Sequence, residues 1–420
     1  MKRHLRQLVI AAILSTGALH AQIGHVLQGA GVINRSMEGA STGNPVDMCG
    51  ALYWNVAGLT QMKRSMLCMG NEFFMADLNM ESAYPGGMML GDQDSGFPTS
   101  SIPTIGGVYK PKESRWTFAM GMQSIAGFGV EYNSVRPGAP NPILYPQSAR
   151  GFGAVSSRYS MGQLTLGAAY QMTEGLSLGI APVFAYSRLE VDPFPGVSPN
   201  ASGYPDTDEA DTYGYGVNLG ALYRFNPSWS VGLSYRSEID FRPFQFDATY
   251  PNGAIDEFSF DMDFPAIASA GVGYTNQDWG LTLNLDLRHL DYENTDGFKE
   301  DAEFDSTGAV KGFGWQSIWQ IACGAQFKVT DRFTLRAGYS WNENPVESNV
   351  LFYNIHATAI IQHHASVGFS YQATESLMLN FAYAHGFENS LSGEMPGAPG
   401  SRVKTTMSTN SFMLGLGYLF

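Results

Sequence analysis

The feature that most restricts the fold of this chain is a strict alternation of apolar and polar residues in many short segments. From Trp279 to Arg288 every odd position is apolar, whereas the even positions hold Gly, Thr, Asn, Asp and Arg. The same alternation occurs in segments 229–236, 333–341 and 377–383. Because side chains of a β-strand point to opposite faces in turn, each segment predicts a strand with one apolar and one polar face.

Two properties of these strands favour a transmembrane barrel over a soluble sandwich. Their polar faces include Arg236, Arg288 and Arg336. A packed core could not bury such charges without partners, but a water-containing lumen could hold them. Their apolar faces begin or end in aromatic residues, as expected of the girdles at two membrane interfaces: Trp229, Tyr235, Trp279, Tyr339, Trp341 and Tyr383.

We therefore predict an all-β fold, a transmembrane antiparallel β-barrel of about fourteen strands. Short turns and long loops alternate between the strands, as in outer-membrane barrels, and an even number lets a closed ring pair every strand. The predicted strands cover about 63–77, 102–110, 114–127, 155–171, 175–190, 212–225, 228–242, 258–275, 279–290, 315–328, 332–341, 362–372, 376–386 and 406–420.

Both ends of the chain indicate export to the bacterial outer membrane. Residues 1–21 combine a basic start, an apolar run and small residues, which is typical of a secretory signal peptide. The apolar run is shorter than the ~20 residues of a spanning helix. At the other end, segment 412–420 alternates and finishes in Phe420, similar to the signal that the barrel-assembly machinery reads. That machinery is thus an expected partner, beside outer-membrane lipid and lipopolysaccharide.

Residues 22–61 precede the first predicted strand and are mostly small, polar or glycine. They contain the stretch Tyr53-Trp-Asn55-Val-Ala57-Gly58-Leu, which resembles the FadL/TodX family of outer-membrane transporters for long-chain fatty acids and hydrocarbons. The resemblance implies that 22–61 is a hatch plugging a barrel of residues 62–420, with Asn55, Ala57 and Gly58 as hatch residues. The family's Asn-Pro-Ala reads Asn55-Val56-Ala57 here, so the proline that fixes the backbone is missing.

The resemblance also implies a transport route. A hydrophobic ligand is captured among the outer loops, binds in the lumen, and leaves sideways into the bilayer when the hatch moves. Such a route spares an apolar ligand a passage through water. The candidate capture residues are apolar ones at or within the second and third long loops: Phe128, Ile143, Leu144, Tyr145, Phe152 and Phe194.

A carboxylate ligand would need an inward-pointing cation, which by strand phase is Arg236, Arg288 or Arg336. We favour Arg336 because Gly338 and Ser340 beside it leave space. The alternative is that these arginines belong to a salt-bridge network within the lumen, and an uncharged hydrocarbon would need no arginine. The acidic partners of that network would be Glu238, Asp240 and Asp286.

Glycine weakens strand pairing, so Gly127 and Gly129 at the end of the third strand are candidates for a lateral gap. Pro182 is the rival position, because proline cannot donate to a strand ladder.

Several functions are disfavoured. Without the three basic residues of the signal peptide, 21 Lys and Arg stand against 38 Asp and Glu, a net charge of −17 that argues against nucleic acid as a partner. The histidines lack metal-binding spacing and no nucleophile motif occurs, so we expect neither an enzyme nor a cofactor. The three cysteines are expected as buried or lipid-facing thiols, with a Cys49–Cys68 bridge as the alternative.

Other outer-membrane functions stay open alongside transport by a monomer. A PorV-type barrel of type IX secretion would bind another protein instead of a lipid. A general porin would conduct ions steadily. A haem-binding receptor would use His25, His356 or His385 as ligands.

Overall fold

The computed structural model describes residues 23–420, so the predicted signal peptide lies outside the described residues. Alternating sequence segments form nearly all of its regular structure. The strands are β1 (Met66–Tyr84), β2 (Met88–Asp94), β3 (Ser100–Tyr109), β4 (Trp116–Tyr132), β5 (Val155–Gln171), β6 (Leu176–Asp192), β7 (Asp206–Thr207), β8 (Ala210–Arg224), β9 (Trp229–Arg236), β10 (Asp240–Phe241), β11 (Phe244–Thr249), β12 (Ile255–Phe260), β13 (Ile267–Asn276), β14 (Leu281–Leu290), β15 (Ile318–Lys328), β16 (Phe333–Asn342), β17 (His363–Gln372), β18 (Leu377–Gly393) and β19 (Arg402–Leu419).

Fourteen of the described strands close into an antiparallel barrel, as predicted. The ring closes where β1 pairs with β19, from Met66 opposite Leu419 to Ala83 opposite Arg402. Short turns connect strands at one end of the barrel, here called the turn end, and the long connections lie at the opposite loop end. Closure pairs the wall strands with one another around the ring, which lipid requires because unpaired backbone groups there are costly.

The outer and inner faces of the barrel follow the alternation in the sequence. On β14, Leu283, Leu285 and Leu287 are 41–49% exposed, whereas Asp286 and Arg288 between and beside them are buried. The same outward pattern on the other strands makes an apolar band far larger than soluble proteins expose, as a lipid-facing wall requires. Within residues 23–420, no helix is long and apolar enough to cross a membrane.

At the loop end β4 continues to Tyr132 and β18 to Gly393, beyond the predicted ends at 127 and 386, and two regions differ further. The predicted loop 78–101 is wrong, because β1 continues to Tyr84 and turns back into β2. The predicted strands 228–242 and 258–275 are too long: the wall strands β9 and β13 are shorter, and part of the alternation between them belongs to hairpin β11–β12. Alternation indicates that a segment is a strand with one buried face, but it does not indicate whether that strand belongs to the barrel wall or to a hairpin outside it.

The N-terminal segment, residues 23–61, is almost entirely buried against the inner faces of the wall strands. It contains helices α1 (Val32–Arg35) and α2 (Met48–Trp54) and a 3-10 helix (Val56–Gln61). The side chain of Asp47 caps α2 by accepting hydrogen bonds from the backbone N–H groups of Cys49, at 3.0 Å, and Gly50, at 3.3 Å. Glycines in the wall allow this close approach: a Cβ on Gly338 would lie 2.3 Å from the carbonyl carbon of Met37.

Candidate functional site

The three predicted arginines all point into the barrel, but each is already engaged there. Arg288 is fully buried and donates to Asp286 at 2.7 Å, to the backbone oxygen of Gly39 at 2.8 Å and to Gln320 at 2.9 Å. Its guanidinium carbon also lies 3.6 Å from the centroid of the Trp54 ring. The ion pair with Asp286 corresponds to the salt-bridge alternative, and two further contacts reach the N-terminal segment.

A polar cluster on β14 holds the N-terminal segment around residues 39–44. Asp286 accepts hydrogen bonds from the backbone N–H groups of Ser41 at 2.6 Å, Thr42 at 2.8 Å and Gly43 at 3.4 Å. Two residues earlier on the same face of β14, Asn284 donates hydrogen bonds to the backbone oxygens of Ala40 and Asn44. Buried polar groups of this kind are costly to leave unpaired, so the cluster anchors that part of the segment to the wall.

The other two arginines make polar contacts with uncharged groups. Arg236 donates to the backbone oxygen of Tyr53 at 3.0 Å and to Gln163 at 3.3 Å, and it stacks on the Tyr53 ring. Arg336 donates to Gln326 and Ser370, both at 2.7 Å. The expected space beside Arg336 is occupied, because backbone atoms of Met37 and Glu38 lie against Gly338. The head-group role of the three arginines stays a prediction.

A second anchor lies on the opposite part of the wall. Arg35 of α1 makes two hydrogen bonds to the carboxylate of Glu72 on β1, at 3.0 and 3.2 Å, and a third to Gln28 at 3.0 Å. Glu38 lies 3.8 Å from the same guanidinium. Burial raises the pKa of Glu38 to about 7, and the nearby Arg35 opposes that rise. The sequence reasoning missed this cluster, since its members come from unrelated segments.

The predicted hatch residues lie at the junction between α2 and the 3-10 helix. The side chain of Asn55 donates to the backbone oxygens of Thr42 at 2.8 Å and Ala221 at 3.1 Å, and it accepts from the N–H of Ala57. Gly58 packs on Pro45, whose ring leaves no room for a Cβ. Asn55 therefore links two parts of the N-terminal segment to β8 without the family's proline.

The predicted capture residues divide between two cavities at the loop end. An inner cavity of ≈ 480 Å³, also counting space open to solvent, is lined by Phe128 and Phe194. An outer groove of ≈ 1830 Å³, counting space open to solvent, is lined by Ile143 and Phe152. The remaining two, Leu144 and Tyr145, are buried within the same loop as Ile143. The sequence reasoning missed lining residues supplied by later loops and strands: Phe260, Val310, Phe313, Tyr353 and His356 in the inner cavity, and Tyr204, Phe304 and Phe352 in the outer groove.

Aromatic rings continue from the inner cavity to the start of the described chain. Phe313 of the cavity stacks on Phe298, and Phe298 stacks on the buried ring of His25 at 4.7 Å. The hydroxyl of Tyr292 lies 3.1 Å from Nδ1 of His25 and donates to the backbone oxygen of Ile23. Burial lowers the pKa of His25 to about 3, so its ring is neutral at pH 7.

The wall is interrupted between β3 and β4, near the predicted Gly127 and Gly129. Pairing of these strands ends at Thr104 opposite Gln123, although β4 continues to Tyr132. The register of β4 against β5 also shifts between Ser124 and Ala126. At Pro182, by contrast, the register of β5 and β6 is the same on both sides. The larger disruption of the wall therefore lies at β4.

The N-terminal segment occupies this open edge of β4. The N–H of Leu27 donates to the backbone oxygen of Ile125 at 2.9 Å, and the N–H of Gly127 donates to that of His25 at 3.0 Å. Val26 is thereby the partner of Ala126. The side chain of Leu27 belongs to one buried cluster with Phe74 of β1 and Ile102 of β3, so residues 25–27 bridge the interruption.

The three cysteines and His385 lie apart from the two polar clusters around Asp286 and Arg35. The Sγ atoms of Cys49 and Cys68 lie 2.9 Å apart without a bridge, and Cys323 is exposed on the outer face of β15. His385 of β18 lies 3.0 Å from the side-chain oxygen of Asn410. In the part of the chain that the structure describes, no three metal-binding side chains cluster.

Comparisons with known proteins agree with this architecture. Residues 25–420 match the family described as outer membrane protein transport protein (OMPP1/FadL/TodX). The long-chain fatty acid transport protein of Salmonella typhi is 23% identical over 417 residues, which cover 90% of each chain. That of Escherichia coli (strain K12) is 21% identical over 383 residues, 81% of this chain and 82% of the relative.

Solved structures resemble the fold. The P. putida toluene transporter TodX superposes with a TM-score of 0.71 at 17% identity, covering 94% of this chain and 99% of its own. A Pseudomonas aeruginosa FadL homologue does so with a TM-score of 0.71 at 16% identity, covering 94% and 100%.

Proposed function

Because the chain belongs to the OMPP1/FadL/TodX family of outer-membrane transport proteins, we propose that it takes up hydrophobic small molecules, such as long-chain fatty acids or related hydrocarbons, by lateral release. The ligand enters the outer groove, passes to the inner cavity and leaves between β3 and β4 when residues 25–27 detach. The full-length similarity to long-chain fatty acid transport proteins supports the ligand class.

The observation that carries this proposal is the occupied edge of β4. Phe128 of β4 lines the inner cavity, and Gly127 beside it is hydrogen-bonded to His25. The inner cavity and the interruption between β3 and β4 are therefore adjacent at residues 127 and 128 of β4. Releasing the backbone bonds of residues 25–27 would expose an unpaired strand edge at that stretch, where a ligand could reach the bilayer without crossing bulk water.

We further propose that residues 22–61 form the hatch and that only its beginning moves. The polar clusters around Arg35 and Asp286 hold the later part to the wall, whereas residues 25–27 are held by backbone bonds and apolar packing. The hatch also argues against a general porin, because an open aqueous channel would have to displace a buried, hydrogen-bonded segment. A ligand moved this way undergoes no chemical change, so the proposal involves no catalysis.

The remaining expected partners belong to the same proposal. The barrel would function as a monomer among lipid and lipopolysaccharide, after assembly through the strand that ends at Phe420. A secretion-type barrel remains the competing function. It would co-purify with a stoichiometric protein partner and lack bound apolar ligand, which mass spectrometry in mild detergent distinguishes.

A cross-strand disulfide tests the lateral route. Val26 and Ala126 form a non-hydrogen-bonded pair, in which Cα atoms lie about 4.5 Å apart, a separation that a disulfide spans. The double variant Val26→Cys/Ala126→Cys, expressed in cells lacking their own transporter, should take up labelled ethylbenzene, an uncharged hydrocarbon, only after reduction. Each single variant is the matched control. Uptake by the oxidised double variant at the rate of the reduced form would refute exit at β4.

A further inference from the structure

The inner cavity is built for an apolar molecule with one polar group. It measures ≈ 480 Å³ when space open to solvent is counted, and its walls are mostly aromatic and aliphatic. Phe128, Phe194, Phe313 and Val310 are among its apolar lining residues. Among its described lining residues, the side chains that can form hydrogen bonds are those of Tyr353 and His356, and none is a Lys, Arg, Asp or Glu.

The wall of this cavity contains a buried hydrogen-bond acceptor on His356. The residue is 4% exposed, and the backbone carbonyls of Asp192 and Pro193 lie within reach of its ring as hydrogen-bond acceptors. Nε2 has no partner, so Nδ1 is the nitrogen that carries the proton and donates. Burial lowers the pKa of His356 to about 4, which keeps the ring neutral and leaves a lone pair on Nε2.

The ring of His356 is close to both cavities. Its ring packs edge-on against Phe152, which lines the outer groove, at 6.2 Å between centroids. Tyr353 of the inner cavity likewise packs against Phe352 of the outer groove. His356 therefore lies between the inner cavity, which it lines, and Phe152 of the outer groove.

The chemistry of the inner cavity disfavours both charged carboxylates and pure hydrocarbons as ligands. A carboxylate would lose its hydration in a cavity without a cation, since Arg236, Arg288 and Arg336 are bonded to the wall and the hatch. A pure hydrocarbon would fill the cavity but leave the Nε2 acceptor buried and unpaired. An uncharged molecule with one O–H donor satisfies both the apolar walls and the acceptor.

We propose that the inner cavity selects uncharged amphiphiles, namely alcohols or phenols with an apolar body, whose hydroxyl donates a hydrogen bond to Nε2 of His356. This selectivity rests on the proposed uptake of hydrophobic small molecules and narrows its ligand class, with neutral alcohols and phenols preferred over fatty acid anions and over hydrocarbons. His356 acts as a specificity-determining residue because Nε2 accepts one hydrogen bond from the hydroxyl group of the ligand.

A matched ligand series tests the selectivity with purified full-length protein in detergent. Binding of 4-ethylphenol, ethylbenzene and 4-ethylbenzoate is compared at pH 7.5, each corrected for partition into protein-free micelles. One buried hydrogen bond corresponds to a preference of roughly three- to tenfold, so 4-ethylphenol should bind that much more tightly than ethylbenzene. 4-Ethylbenzoate should bind most weakly.

Variants separate recognition from folding. His356→Phe should bind ethylbenzene as the wild type does and lose the preference for the phenol. His356→Gln, which retains a donor and an acceptor, should keep part of the preference. Tyr353→Phe is the control within the same cavity and should keep all of it. If Tyr353→Phe alone abolishes the preference for 4-ethylphenol, the hydroxyl of Tyr353 is the group that binds the phenol, and the assignment to His356 is wrong.

The failure of this inference differs from the failure of the proposed function. Equal binding of ethylbenzene and 4-ethylphenol by the wild type, or tighter binding of 4-ethylbenzoate, would overturn the selectivity while disulfide-gated uptake still holds. Uptake that ignores the Val26→Cys/Ala126→Cys disulfide would overturn the route, whatever the cavity binds.

Discussion

The clearest test of how the hatch is held is the substitution Asp286→Ala. This carboxylate accepts three backbone N–H groups of residues 41–43 and pairs with Arg288 at 2.7 Å, all buried. Alanine leaves those three donors without their acceptor and Arg288 without its counter-charge. We expect the barrel to assemble, because Asp286 contributes only its backbone to strand pairing, and the anchored part of the hatch to loosen.

The size of the effect follows from the three backbone hydrogen bonds that Asp286 accepts from the hatch, because Arg288 lies on the same strand as Asp286 and their ion pair does not cross to the hatch. A buried donor left without its acceptor costs roughly 1–3 kcal/mol, so three of them cost roughly 3 kcal/mol or more. At about 1.4 kcal/mol per factor of ten, local opening of the segment should become at least roughly 100-fold more frequent.

Hydrogen exchange measures that opening. The informative amides are Gly39 and Ala40, which donate to the backbone oxygens of Asn34 at 3.0 Å and Met37 at 3.1 Å and do not contact Asp286. They should exchange faster by that factor in Asp286→Ala. Asp331→Ala, which removes an exposed ion pair with Lys328 at the turn end, is the control and should leave them unchanged. Wild-type protection of both amides in Asp286→Ala would show that this cluster does not anchor the hatch.

Two further predictions concern the same segment. Mild oxidation should join α2 to β1 by a disulfide between Cys49 and Cys68, whose Sγ atoms lie 2.9 Å apart. Peptide mapping should show this bridge in the wild type and not in Cys68→Ser. If both thiols can still be alkylated after oxidation, the contact is wrong. Because burial raises the pKa of Glu38 from 4.5 to about 7, the folded protein binds that proton more tightly than the unfolded chain and loses stability as pH rises through this interval. Glu38→Gln should therefore melt like the wild type at pH 4.5 and be more stable by roughly 3 kcal/mol at pH 8, and an equal difference at both pH values would refute this.

Much of the barrel could be predicted because strand geometry is local. Alternation alone gave the span of β5 as 155–171, as the structure has it. It also predicted that Arg236, Arg288 and Arg336 face inward, since a residue's parity along a strand decides its face. The loop-end boundaries were less accurate, because a hairpin outside the wall alternates just as a wall strand does.

The candidate site was predicted only in part, because its contacts join residues far apart in the sequence. Phe128 and Phe194 could be recognised as apolar residues at the loop end, but nothing near them indicates that His356 completes the same cavity. The resemblance suggested a hatch, yet the residue that binds its backbone, Asp286, lies about 245 positions away from Ser41.

The sequence by itself determined a closed, lipid-facing barrel and the direction of each wall side chain, since both follow from a two-residue period read along the chain. Tertiary structure alone decided what each inward group meets: Arg288 meets Gly39 and Asp286, and the edge of β4 meets His25 and Leu27. The physical reason is that a strand's faces depend on its own backbone geometry, whereas the occupant of the lumen depends on where ring closure brings distant segments together.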